Sequence, residues 1–153
     1  MIFSVPGKQV VQINLHGKGF WLNQKLTQEE KDIGFHTSAY HLKQGIKMEQ
    51  ELPLANFQQT DYYSIYLVEN KKILILQKLP QTKFIQPIEV DYLVVGYNAV
   101  SSLPHLESYF MAEEIILDSS NNDWISKKLA EEAKRRKIKL HPVSINGARI
   151  IEL

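Results

Sequence analysis

Two short polar stretches carry the side chains best suited to chemistry. Asp118-Ser119-Ser120-Asn121 sets a carboxylate, two hydroxyls and an amide directly after the apolar run Ile115-Ile116-Leu117. Tyr97-Asn98 follows a second apolar run, Tyr92-Leu93-Val94-Val95, with Gly96 between them. Both stretches fall just past the carboxyl ends of expected buried strands, where α/β proteins collect their ligands. Two readings are open. The residues form a pocket for an anion or metal, built partly on helix amides. Alternatively they form an Asx or Ser turn that caps the next helix, which these residue types favour on local grounds alone. Tyr97 and Asn98 would line the same pocket.

Other chemistries find less support. The histidines are His16, His36, His41, His105 and His141, and no HxH or HExxH pair occurs. His36 and His41 are five apart, which places them on different faces of a helix. They are expected to be surface or structural residues, with no metal site. No GxSxG elbow and no GxxxxGK[ST] loop is present. Lys127, Lys128, Lys134, Arg135, Arg136, Lys137 and Lys139 could meet phosphates, but Glu131 and Glu132 interrupt them, as on a solvated helix face. Phe20, Trp21, Tyr62, Tyr63 and Tyr66 could stack on bases, although aromatics alternating in strands more often pack across a sheet.

Composition narrows the classes further. The 153 residues suffice for one domain with a core. A net charge of +1 gives no whole-protein attraction to nucleic acid or anionic membrane, so either would need a local patch. The absence of cysteine removes disulfides, thiolate metal sites and cysteine nucleophiles. No apolar stretch approaches the length of a membrane span.

The elements follow from periodicity. Ile2–Val5 predicts a strand and Pro6-Gly7-Lys8 a turn. Gln9–Leu15 predicts a half-buried strand with Val11, Ile13 and Leu15 on one face. A turn at His16–Gly19 leads to a strand at Phe20-Trp21-Leu22. Thr27–Glu30 has capping-box spacing, opening a helix over about Gln28 to Gln44, with Gly34 and Thr37 as weak points. Ile46–Phe57 is irregular. Tyr62–Val68, Ile73–Leu76, Val90–Val95 and Ile115–Leu117 are strands, the later ones without alternation because both faces are buried. Ser102 with Pro104 starts a helix, and Asn121 or Asn122 caps another whose core face is Ile125, Leu129 and Ala133. Ile138–Val143 predicts an edge strand, and Asn146-Gly147 a hairpin returning through Ala148–Glu152. The expected fold is α/β with a mixed β-sheet and helices.

This order of motifs resembles the C-terminal soluble region of ComEC-type competence proteins, which are integral membrane channels implicated in DNA uptake. The resemblance rests on Asp91–Val95, Ile115–Asn121, Leu140-His141-Pro142-Val143 and Asn146-Gly147-Ala148. The opening Ile2–Gly7, with Gln12-Ile13 and Gly19-Phe20-Trp21, is similar to the start of that region in a divergent branch. It implies a single domain over residues 1–153, with a truncated metallo-β-lactamase-like layered fold, excised from a larger membrane protein.

The same resemblance implies a degenerate site. Active members read His-His-Gly-Ser where this chain has Tyr97, Asn98, Ala99 and Val100. Their Gly-Asp strand corresponds to Ile73–Leu76, which runs into Gln77-Lys78, and their HxHxDH loop has no counterpart. The expectation is a non-catalytic scaffold or interaction module with no catalytic residues, metal or cofactor. Its vestigial pocket would comprise Tyr97, Asn98, Asp118, Ser119, Ser120 and Asn121. The implied partners are DNA during uptake and the protein's own transmembrane channel region, with no small-molecule partner. The chain itself is expected to be soluble, and the full-length protein to sit in the bacterial inner membrane. The alternatives are a hydrolase with a relocated polar site at Asp118, Ser120 and Asn98, or a direct single-stranded DNA binder.

Overall fold

The computed structural model describes residues 1–22, 31–48 and 57–152. In chain order the elements are β1 (Gln12–Leu15), β2 (Lys18–Trp21), α1 (Lys31–Gln44), β3 (Lys47–Met48), β4 (Phe57–Gln59), β5 (Tyr63–Val68), β6 (Lys71–Leu76), β7 (Ile88–Val95), α2 (Leu103–Glu107), β8 (Phe110–Leu117), α3 (Asp123–Arg136), β9 (Leu140–Pro142) and α4 (Val143–Asn146). The capping-box residues Thr27–Glu30, and positions 49–56 with Pro53, lie outside the described residues.

Two sheets form. The larger has six strands in the order β4-β5-β6-β7-β8-β9, and the smaller three in the order β1-β2-β3. Pairing is antiparallel from β4 to β6 and parallel from β6 to β9, so the large sheet is mixed, as the sequence predicted. The parallel strands therefore all finish at one edge, at Leu76, Val95, Leu117 and Pro142.

Alternation assigns each face. Leu74 and Leu76 of β6, Leu93 and Val95 of β7, and Ile115 and Leu117 of β8 bury against Leu103 and Leu106 of α2 and Ile125, Leu129 and Ala133 of α3. Their neighbours Ile73, Ile75, Val94 and Ile116 point the other way, against Val11 and against Ile13 and Phe20 of the small sheet. With both faces covered, β6–β8 read as continuous apolar runs. Beyond the small sheet, Phe3, Val5 and Val10 pack with Ile33, Trp21 and Tyr40, so α1 lies on its outer side. The layers run helix, large sheet, small sheet, helix.

Several element ends differ from the expectations. Ile2–Val5 is not a continuous strand: Ile2 alone forms bridges, one to Val11 and one to Arg149. The Asn146-Gly147 hairpin does not form. Val143–Asn146 closes a helical turn instead, and Gly147 ends it at φ 80°. The chain beyond then pairs with Ile2, Arg149 N donating to Ile2 O and Ile2 N to Arg149 O. Asn-Gly suits a helix stop as well as a type I′ turn, because both use the φ > 0 that glycine tolerates. Ser102 occupies the N-cap of α2 without a side-chain bond. Glu132 of α3 accepts the Leu103 N–H in its place, at 3.0 Å.

The stacking surface proposed for Phe20, Trp21, Tyr62, Tyr63 and Tyr66 is not formed either. Phe20, Tyr63 and Tyr66 are buried, and Trp21 and Tyr62 pack at the margins of the cores. β9 is an edge strand, with Pro142 at its end, where the missing N–H costs the sheet nothing.

Candidate functional site

The sequence-predicted residues do come together, at the carboxyl ends of β6, β7 and β8. Gly96 N donates to Leu76 O at 3.0 Å and Asp118 N to Val95 O at 3.1 Å, which aligns the three strand ends. The Asn121 amide then bridges two of them, donating to Val95 O at 2.7 Å and Asp118 O at 3.0 Å.

The loop after β7 is held by the loop after β8. Tyr97 N donates to Ser120 Oγ at 2.7 Å and Asn98 N to Asn121 Oδ1 at 3.0 Å. In return Asn122 N donates to Asn98 Oδ1 at 2.8 Å. Tyr97 and Asn98 both sit at φ 53°. Asn accepts that left-handed conformation readily, whereas Tyr resists it by about 1–2 kcal/mol. The crossed bonds to Ser120 and Asn121 hold it there. Asn122 is the N-cap of α3, accepting from Ile125 N at 2.8 Å, so one run of residues closes β8, binds the neighbouring loop and starts the helix.

Asp118 is fully buried in this knot. Its Oδ1 accepts from Ser120 N at 2.8 Å and from the Ser120 hydroxyl, whereas Oδ2 is within hydrogen-bond geometry of no donor among the described residues, the Gln9 amide acting on it from beyond that range. Burial therefore dominates and pushes the carboxyl up to about 6, against the pull of the Ser120 hydroxyl and N–H and the Gln9 amide. The hydroxyl of Ser119 is also buried, with no partner among the described residues.

Two further positions, Gln9 and Gly96, shape the crevice. Gln9, with no exposed surface, lies over the strand ends, donating to Leu76 O at 3.5 Å and accepting from Gln77 Nε2 at 3.4 Å. Both bonds are long. Gly7 N donates to Ser119 O at 2.9 Å beside it. A methyl group on Gly96 would stand 2.7 Å from Asp118 Oδ2 and 2.8 Å from Ser120 Oγ, and closer still to Gln9 Nε2. The glycine is required by this crowding. A signal for Gln9 existed: it shares the parity of Val11, Ile13 and Leu15, so it is a polar residue on an apolar face.

The crevice thus contains one carboxyl group, hydroxyls and amides. Ser120 Oγ is committed on both sides, accepting from Tyr97 N and donating to Asp118. The histidines lie elsewhere. His41 Nε2 pairs with Gln12 Oε1 at 2.6 Å and His141 Nε2 with Gly147 O at 2.9 Å, while His16, His36 and His105 are exposed. Among the described residues no three of His, Asp and Glu converge as ligands for a metal. A lone carboxyl with amides does not fit the two divalent cations that the metallo-β-lactamase resemblance implies.

Larger concavities lie away from the site. One of about 320 Å³ opens between the sheets beside Ile13, Leu15, Val68 and Ile73. Another, of about 360 Å³, lies over Lys72, Asp91 and Met111. Neither is lined by the Asp118 turn.

The exposed side of α3 is the other candidate. Trp124 is 67 % exposed, with Lys128 Nζ 5.3 Å from its ring centroid, and Lys127, Lys134, Arg135 and Lys137 are exposed along the same helix. Glu132 and Arg136 are engaged with α2, the latter to Glu107 Oε2 at 2.6 Å.

Among the described residues no helix is long and apolar enough to cross a membrane. No curated protein and no solved structure matches the chain. A family model described as the ComEC C-terminal domain matches residues 1–153. With the whole length matched, the chain belongs to the ComEC C-terminal domain family, a module of ComEC-type competence proteins.

Proposed function

We propose that this domain serves the competence system as a non-catalytic scaffold or interaction module, tethered to the membrane channel region of its parent protein. The observation that carries the reading is the filling of the strand-end crevice by the protein's own Gln9, packed over Gly96 beside a single carboxyl group. The layer order of helix, sheet, sheet and helix supports descent from a metallo-β-lactamase-like framework, shortened where the ligand-bearing segment would be. Metal analysis of the purified chain, with a chelator-sensitive phosphodiesterase assay, tests the proposal. It expects substoichiometric metal and no activity. Stoichiometric zinc or manganese, or phosphodiester cleavage abolished by chelation, overturns it and favours the relocated hydrolase site at Asp118, Ser120 and Asn98.

A second reading has its own support. Trp124 with the exposed lysines and Arg135 of α3 combines an aromatic surface with cations suited to phosphates, as proteins that hold single strands do. Direct contact with single-stranded DNA during uptake would use this face, leaving the buried Asp118 knot as its support.

A further inference from the structure

Ile2 lies between two antiparallel neighbours, bridged to Val11 on one side and to Arg149 on the other. Next to it Gln12 N donates to Met1 O at 2.9 Å, and the Met1 amine donates to Gln12 O at 2.6 Å. Val11 O turns the other way and accepts from Leu22 N, just after β2. Backbone groups alternate sides along a strand. Asn14, two residues past Gln12, therefore turns its N–H and C=O away from β2 and towards the continuation of Met1. On the far side Arg149 exchanges both its bonds with Ile2, and the same alternation directs Ile151 inward. These backbone groups of Asn14 and Ile151 have no hydrogen-bond partner among the described residues. Past Met1, the middle position held by Ile2 opens into the cavity of about 320 Å³, which Asn14 and Ile151 both line.

Ile13, Leu15, Val68 and Ile73 give the cavity an apolar floor, and Glu69 and Glu152 stand exposed at its margin. Neither carboxylate is in an ion pair among the described residues. Burial lowers the Met1 amine to about 6, so it adds little positive charge at neutral pH. We propose that this slot takes an extended polypeptide segment of a partner protein, antiparallel to β1 and paired to the backbone of Asn14 and Ile151. The segment's residues opposite Ile13 and Leu15 are apolar and face Val68 and Ile73, which already pack with Ile13. A basic residue lies beside Glu69 and Glu152. Strand addition of this kind draws affinity from main-chain bonds and specificity from alternate side chains. β1 extends to Leu15, about 10 Å past Gln12 at about 3.4 Å per residue, so a tetrapeptide spans the slot. The slot stands apart from the Asp118 crevice, so the proposal holds whether or not that crevice is catalytic.

Titration of the full 153-residue chain with the acetylated, amidated peptide lysine-valine-threonine-valine, followed by amide NMR, tests this. Saturable shifts should centre on Asn14, Leu15 and Ile151. Exchange of the Asn14 and Ile151 N–H groups should slow about tenfold at saturation. The same peptide methylated on the threonine and last valine nitrogens loses the main-chain donors and should bind about tenfold more weakly. Glu69→Gln with Glu152→Gln, both on the surface, should weaken the unmethylated peptide about threefold at low salt. An absence of saturable shifts at Asn14 and Ile151 overturns the proposal. Equal binding of the methylated peptide also overturns it, because the cavity then takes small apolar groups without strand pairing. The same shifts on concentrating the chain without peptide overturn it in favour of a second copy.

Discussion

Arg149 grips Glu114 with both arms of its guanidinium, Nε to Oε1 at 2.7 Å and Nη2 to Oε2 at 2.9 Å. Glu114 lies in the middle of β8 with a side chain 2 % exposed, and Lys139 Nζ meets its Oε2 at 2.7 Å. Burial pushes this carboxyl up, but the hydrogen bonds from Arg149 and Lys139 outweigh it and hold it below the usual Glu range. Arg149→Ala leaves a buried carboxylate with one exposed lysine, while the backbone bonds of residue 149 to Ile2 remain available. Chemical denaturation should show a loss of about 3 kcal/mol. A loss within about 0.5 kcal/mol, the size of an ordinary surface change, would contradict the arrangement.

Stability should depend on pH in two opposed windows. Asp118 carries a raised folded value of about 6 against 3.8. Below 3.8 both folded and unfolded chains hold its proton and it costs nothing. As pH rises toward and through about 6 the fold must accept a buried charge, losing on the order of 3 kcal/mol. Asp91 and Glu114 act in the other direction. The hydrogen bond from Lys71, at 2.6 Å, with that of Lys72 N, lowers Asp91. Arg149 and Lys139 lower Glu114. Their support is present above the ordinary carboxylate values and is lost as pH falls through the lowered ones. Urea titrations across the acid range should show Asp118→Asn losing less stability than the parent chain as pH rises from 3.8 to about 6.

Gly96→Ala should destabilise the domain by about 1–3 kcal/mol through overpacking. The added methyl meets Gln9, Asp118 and Ser120 together, all within a buried knot. Gly34→Ala on α1 is the control, because no described residue lies within 4 Å of a methyl group there and alanine favours a helix. Comparable melting shifts of the same sign for both would count against the crowding at Gly96.

If the exposed side of α3 holds single-stranded DNA, Trp124→Ala should weaken oligonucleotide binding by about 1–3 kcal/mol. Lys127→Gln with Lys128→Gln should flatten its salt dependence. Fluorescence anisotropy at several salt concentrations measures both. Binding that ignores salt and survives these changes would place the contact elsewhere.

The sequence exposed the large sheet better than the site. Leu74, Val94 and Ile116 lie in runs with no polar interruption, which only strands covered on both faces can hold, so β6–β8 were legible. Asp118, Asn121 and Asn98 were legible as turn residues at strand ends, and the turn reading accounts for most of their bonds. Gln9 was not found because its role depends on a segment far away in sequence folding over Gly96. The Asn146-Gly147 reading failed for a related reason: the pair suits two structures, and the bridge from Arg149 to Ile2 decided between them. Local chemistry identifies punctuation, while long-range pairing chooses its use.

The reciprocal bonds between Ile2 and Arg149 have a mechanical consequence. They bring the first and last segments of the described chain to one point, against the same strand β8 that holds Glu114. A pull applied between those segments would meet this clasp first. The parallel strands behind it would feel little of the force until the clasp had given way.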